Sequence, residues 1–191
     1  GQPAEAESVM VERDLALAAR AGARLHLCHL SCAASLDAAR RAKARGVPVT
    51  VETAPHYFTL TDEDAPEGDA DFKMNPPLRG RVDLEAVLAA LADGTIDAIA
   101  TDHAPHAPAK KAKGLLDAPC GVIGLETLLP LVLGWARGGG LSRRRAVELV
   151  TAGPARALGL ASKGTLKPGA DADCAIVDPD AQATATLVFR D

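Results

Sequence analysis

Apolar and polar positions along the chain fall into two alternating rhythms. Residues 5–21 set Val9, Leu15, Leu17 and Ala18 at helical spacing, and Gly22 reads as a stop. Acids lead this segment and Arg20 trails it, an order that suits the helix dipole. Residues 25–30 form a short apolar run bounded by turn formers, which predicts a buried strand, with Ser31 as an N-cap for a helix over 33–45. Residues 47–53 are rich in β-branched side chains and predict a second strand. A long irregular stretch, 55–80, separates it from a helix over 82–92 closed by Gly94 and from a third strand over 96–101. A second long loop, 102–121, precedes helices over about 124–137 and 142–158 and, after the turn-rich 164–169, a short strand over 172–177.

Helices and strands that alternate in this way predict right-handed βαβ units and a parallel sheet. The strands read as nearly continuous apolar runs, which predicts a sheet covered on both faces. Loops longer than about 15 residues are uncommon in compact domains and are usually functional. Here the reactive side chains gather just beyond the strand ends, at His29, His56, Asp102, His103 and His106. Parallel α/β proteins place their sites there.

Composition narrows the picture further. Hydrophobic residues make up 48% of 191 and charged residues 24%, so a folded globular chain is expected rather than disorder. A net charge of -4 argues against a nucleic-acid partner, and no apolar run approaches the roughly 18 residues of a membrane span. Aromatics are 3%, which leaves the core to Ala, Leu, Val and Ile. The four cysteines form no C-x-x-C pair and no secretory leader opens the chain, so a reduced, cytoplasmic protein is expected.

His29 at a strand end offers a neutral imidazole suited to zinc, although a lone histidine is more often a satisfied core residue. Alternation sets it on the face of Leu25 and Leu27, with His26 opposite. Asp102, in the segment Ala100-Thr101-Asp102-His103-Ala104-Pro105-His106, is a carboxylate placed where burial is costly without a metal, base or donor. His103 and His106 are open as ligands or substrate contacts, and His103 equally as a group behind the ligands. His56 is evenly poised between ligand and loop packing. The two prolines of Lys73-Met74-Asn75-Pro76-Pro77-Leu78-Arg79 stiffen a segment able to hold Asn75 or Arg79 toward an anion. Lys110-Lys111-Ala112-Lys113 reads as a solvated charge run. Histidine and aspartate at strand ends suggest metal-assisted hydrolysis, with no substrate named.

Taken together, Leu27-Cys28-His29-Leu30-Ser31, Glu52-Thr53-Ala54-Pro55-His56-Tyr57, the Asn-Pro-Pro-Leu-Arg segment and the Thr-Asp-His-Ala-Pro-His segment resemble the dihydroorotases of the amidohydrolase superfamily. Gly121-Val122-Ile123-Gly124-Leu125-Glu126-Thr127 and Gly164-Thr165-Leu166-Lys167-Pro168-Gly169 fit as well, the latter being shared across the superfamily. The resemblance implies a (β/α)8 TIM-type barrel with a small β-sandwich. Residues 1–161 would supply about strands 6–8 of that barrel and 162–191 a piece of the sandwich.

It further implies zinc, one or two ions per complete site, with His29 and Asp102 as ligands and Asp102 also the catalytic base. Asn75 and His106 match substrate-binding positions, and Cys120 and Gly121 fall where loop backbone groups hold the ring. His56 matches no ligand position. The implied reaction is reversible hydrolysis of dihydroorotate to N-carbamoyl-aspartate in de novo pyrimidine (UMP) biosynthesis. The family's His-x-His pair, bridging acid or lysine and further histidine would lie before Gly1, and a whole barrel needs about 250 residues. The chain is therefore expected to be a C-terminal half, inactive alone. Two rivals stand beside this reading: a hydantoinase or allantoinase, and a non-catalytic subunit supporting aspartate transcarbamoylase. Partners expected are the small-molecule substrate, a second copy of the chain or the transcarbamoylase, and neither nucleic acid nor membrane.

Overall fold

A computed structural model describes residues 2–181. The element order is α1 (Glu5–Ala21), β1 (Leu25–Leu27), α2 (Ala33–Ala44), β2 (Val49–Thr53), α3 (His56–Thr59), α4 (Arg81–Asp93), β3 (Ala98–Ile99), α5 (Pro108–Lys111), α6 (Leu128–Arg137), α7 (Arg143–Val150) and α8 (Ala152–Ala157). The α/β reading holds: the three strands pair in parallel, in the order β1-β2-β3. Strand order that follows chain order means that each right-handed crossover returns to the same side. The helices therefore stack on one face, where Leu27, Val51 and Ile99 join Leu36, Val87, Leu91 and Leu149 in the main core.

The other face differs from the expectation of a sheet covered on both sides. In β2 the buried residues Val49, Val51 and Thr53 alternate with half-buried Thr50 and Glu52. Register sets His26 of β1 beside Thr50, so polar side chains line this face. Period-2 alternation produces that division, and the apolar runs hid it.

Three further differences have physical causes. In α1 the buried stripe is Val11, Leu15 and Ala18, while Val9 and Leu17 are exposed, because 100° per residue turns Leu17 away from Leu15. The helix expected over 142–158 breaks at Thr151 into α7 and α8. Pro154 has no N–H to give and its ring would meet the carbonyl of Val150. Gly153 then lets α8 press on the third strand segment, where a Cβ would lie 2.0 Å from the Asp97 carbonyl oxygen. Finally, residues 172–177 are irregular rather than a strand, and 182–191 lie outside the described residues. Ser31 does not cap α2. Its hydroxyl bonds to Glu7, and the first free N–H of the helix, that of Ala33, donates instead to Asp83 of α4 at 2.8 Å.

Candidate active site

The carboxyl ends of the three strands bring five polar side chains together: His26, His29, Glu52, His56 and Asp102. Just beyond β1, His29 sits with φ 55°, and just beyond β3, Asp102 sits with φ 49°; among the described residues these are the two non-glycine positions in left-handed backbone. Histidine and aspartate tolerate that region better than most residues, yet each position still costs of order 1 kcal/mol and needs its surroundings to hold it. The reversal at His29 overturns the expected alternation. Instead of facing away from His26, His29 shares a carboxylate with it: Glu52, at the end of β2, lies 2.9 Å from His29 Nδ1 and 3.1 Å from His26 Nε2. His26 is completed by Thr50 Oγ1, 2.8 Å from its Nδ1.

Asp102 closes the group. Its Oδ1 lies 3.7 Å from His29 Nε2 and its Oδ2 lies 3.6 Å from His56 Nε2. Both distances exceed a hydrogen bond. His29 Nδ1, set beside the Glu52 carboxylate, and His56 Nε2 are buried polar atoms that complete no well-formed hydrogen bond. Such groups are uncommon in native proteins and call for an explanation.

Charge in the cluster is tuned by its own members. The Glu52 carboxylate raises the His29 imidazole above its ordinary range against the opposing pull of burial, and Asp102 adds to the rise. Burial pushes Glu52 up, but His29 and His26 together outweigh it and hold the acid below the usual carboxylate range. Asp102 is raised, first by burial and then by Glu52, with His29 opposing. Burial, with the His29 charge assisting, drives His56 down to about 3, so that it is neutral across the physiological range.

The donors fit a divalent metal ion. Neutral imidazole and carboxylate are its usual oxygen and nitrogen ligands, and a catalytic site uses about three of them plus an open position. His29 and Asp102 supply two, the unpartnered His56 Nε2 lies 3.6 Å from Asp102 Oδ2, and Glu52 stands behind His29 as orienting carboxylates do behind metal-bound histidine. A second group, His26, Cys28 and Glu52, has donor atoms within 4.8 Å of one another, but two of the three are already engaged with each other.

A second cluster forms beside the first. His106 Nε2 donates to the Cys120 carbonyl at 2.9 Å, and the Gly121 amide donates to the Lys73 carbonyl at 2.9 Å. Gly121 has φ 146°, and a Cβ there would lie 2.3 Å from the Ala104 carbonyl oxygen and 3.0 Å from His106 Nε2. No other residue type fits between those groups. The structure thus joins His106, Cys120 and Gly121 to the Lys73 end of the proline segment, with Asn75 exposed two residues on. His103 is exposed, and its Nδ1 accepts the Gly124 amide at 3.1 Å, so it anchors the loop. Arg79 does not face the site: it is buried against Ser31 Oγ at 3.1 Å, the Gln2 carbonyl at 2.7 Å and Glu7. Lys111, read as part of a solvated run, is 3% exposed.

The amidohydrolase family matches residues 7–191. The dihydroorotase of Anaeromyxobacter sp. (strain K) is 52% identical over 186 residues, 96% of this chain and 43% of that protein. The dihydroorotase of Pelotomaculum thermopropionicum is 54% identical over 183 residues, 94% of this chain and 42% of that one. The chain therefore spans less than half the length of these relatives. Among solved structures, the L-hydantoinase (dihydropyrimidinase) from Arthrobacter aurescens superposes with TM-score 0.85 at 34% identity, over 90% of this chain and 39% of that one. The D-hydantoinase (dihydropyrimidinase) from Thermus sp. does so with TM-score 0.83 at 32% identity, over 90% and 39%. With a match over nearly its full length, the chain belongs to the amidohydrolase family.

Proposed function

We propose that the chain is the C-terminal part of a dihydroorotase. In this reading residues 1–161 form about the last three strands and helices of a (β/α)8 barrel, and 162–191 belong to a composite β-sandwich. The single observation that carries it is the pairing of His29 and Asp102, each held in left-handed backbone beyond a parallel strand and facing each other at 3.7 Å. Identity of 52% to proteins named dihydroorotase supports the substrate class over hydantoin or allantoin.

Zinc, one or two ions in the complete site, would be held from this chain by His29 and Asp102, and would polarise the ring amide and lower the pKa of water. Asp102 does the proton work. It would take a proton from water and return it to the departing ring nitrogen. Glu52 keeps the His29 ring turned toward Asp102. Asn75, His106, and the backbone of Cys120 and Gly121 bind the substrate, dihydroorotate or N-carbamoyl-aspartate. This assignment makes the protein an enzyme of pyrimidine biosynthesis.

The chain by itself offers too few ligands, so zinc titration of residues 1–191 is expected to show weak binding without turnover. Tight stoichiometric binding would overturn the ligand assignment. Joined to a relative's N-terminal part, the chain is expected to hydrolyse dihydroorotate well ahead of hydantoin and allantoin. The reverse order would make it a hydantoinase, the class of its structural neighbours.

A further inference from the structure

The residue that the reaction leaves unused is Lys111. It ends α5, and its neighbours Lys110 and Lys113 are exposed, while Lys111 is 3% exposed. Its ammonium donates to the carbonyls of Gly121 at 2.9 Å, Pro119 at 3.2 Å and Lys73 at 3.3 Å. An ammonium has three donors, and all three are engaged. The acceptors come from two separate stretches: the loop that carries Cys120 and Gly121, and the first residue of the segment that carries Asn75. Lys73 crosses back, its own ammonium donating to the Ala118 carbonyl at 2.6 Å and the Leu116 carbonyl at 3.0 Å. Burying a charge is costly unless it is fully bonded, and an apolar side chain could have closed an ordinary loop at lower cost. Here the cation holds the carbonyls of Pro119 and Gly121 against that of Lys73, on either side of the Cys120 carbonyl that His106 bonds.

We propose that Lys111 is a positioning residue for the substrate: it ties residues 119–121 to residue 73, and so sets Gly121 and Asn75 in fixed register. The inference rests on the dihydroorotase reading, because it takes those two residues as substrate contacts. It makes no contact with His29 or Asp102, so the effect falls on substrate binding and leaves metal binding alone.

The test uses the full-length enzyme with zinc and compares Lys111→Met with wild type. The expected result is a KM for dihydroorotate raised about tenfold or more, kcat within about threefold, and unchanged zinc content. Hydrogen exchange of the amides at 118–122 should accelerate while those of β1–β3 do not change. An unchanged KM with unchanged exchange overturns the proposal, as does an equal loss of kcat, zinc and KM, which marks a general structural role. If Lys111→Met does not accumulate folded, Lys111→Arg replaces it. The arginine keeps the charge but its planar fork does not match three converging carbonyls, so a smaller rise in KM is expected with zinc unchanged, and an unchanged KM overturns the proposal. If the wild-type enzyme does not turn over dihydroorotate, the functional reading has failed. The exchange measurement still decides whether Lys111 holds the loop.

Discussion

Two neighbouring regions of the molecule are built by different means. At the strand ends, side chains do the organising: His26, Glu52, His29 and Asp102 set one another's position and charge across three strands. In the adjoining loops side chains hold the backbone instead: Lys111 and His106 bond the carbonyls of residues 73 and 119–121. The first region depends on register and strain, the second on a few buried donors. The first suits chemistry that needs charge at a point, and the second suits recognition of a flat, hydrogen-bonding molecule. Mutations in the two regions should therefore separate into those that change rate and metal binding and those that change substrate affinity.

The largest effect is expected for Asp102→Asn in the full-length enzyme. Asparagine accepts left-handed backbone, so the fold persists, but the proton acceptor is gone; kcat should fall about 10²- to 10⁴-fold. A loss confined to KM would erase the distinction between the two regions.

The next effect is on stability. His56 is neutral and buried, with a side chain 7% exposed and a pKa lowered from 6.5 to about 3. A group with a depressed folded pKa contributes stability that is whole above the unfolded value. Unfolding free energy should therefore fall as pH drops from 6.5 toward 3, by about 4–5 kcal/mol in total. His56→Gln should flatten that slope in acid denaturation followed by circular dichroism. An unaltered slope would mean that His56 is charged in the folded state.

A smaller effect is expected for Glu52→Gln, which keeps the shape but removes the charge behind His29. Zinc affinity of the full-length protein should drop about 10- to 100-fold, as for other groups that orient metal-bound histidine, with KM corrected for metal content unchanged. Calorimetric titration measures the first and saturation kinetics the second. A change in KM alone would move Glu52 into the recognition region.

Much of the first region was legible in the sequence; of the second, Asn75, His106, Cys120 and Gly121 were legible, but not the lysine that holds them together. His29 and Asp102 stood out because each follows an apolar run, where a polar residue needs a reason. Glu52 did not, because its partners lie on another strand and the pairing depends on register. His29 falls on the other face than alternation predicts, for a local reason: alternation assumes extended backbone throughout, and the turn at His29 breaks it, while His26 lies opposite Leu27 as expected. Lys111 is the clearest miss. Three lysines within four residues look solvated, and only the tertiary path of residues 116–121 shows that the second one is buried. The helices were placed well, because their apolar stripes repeat over several turns. The break at Thr151 had its signal in Pro154, which an amphipathic pattern outweighed.

The left-handed conformations at His29 and Asp102 bear on how this protein can be engineered. Glycine at either position, or asparagine at Asp102, would relieve backbone strain, so part of the thermal stability open to selection lies in the residues assigned to chemistry. A library selected for heat resistance alone would drift toward a sturdier, inert protein, and it would lose these two side chains early. Screening for heat resistance and metal retention together would hold both in place, and would direct the gains to the outer helix faces where Val9 and Leu17 lie exposed.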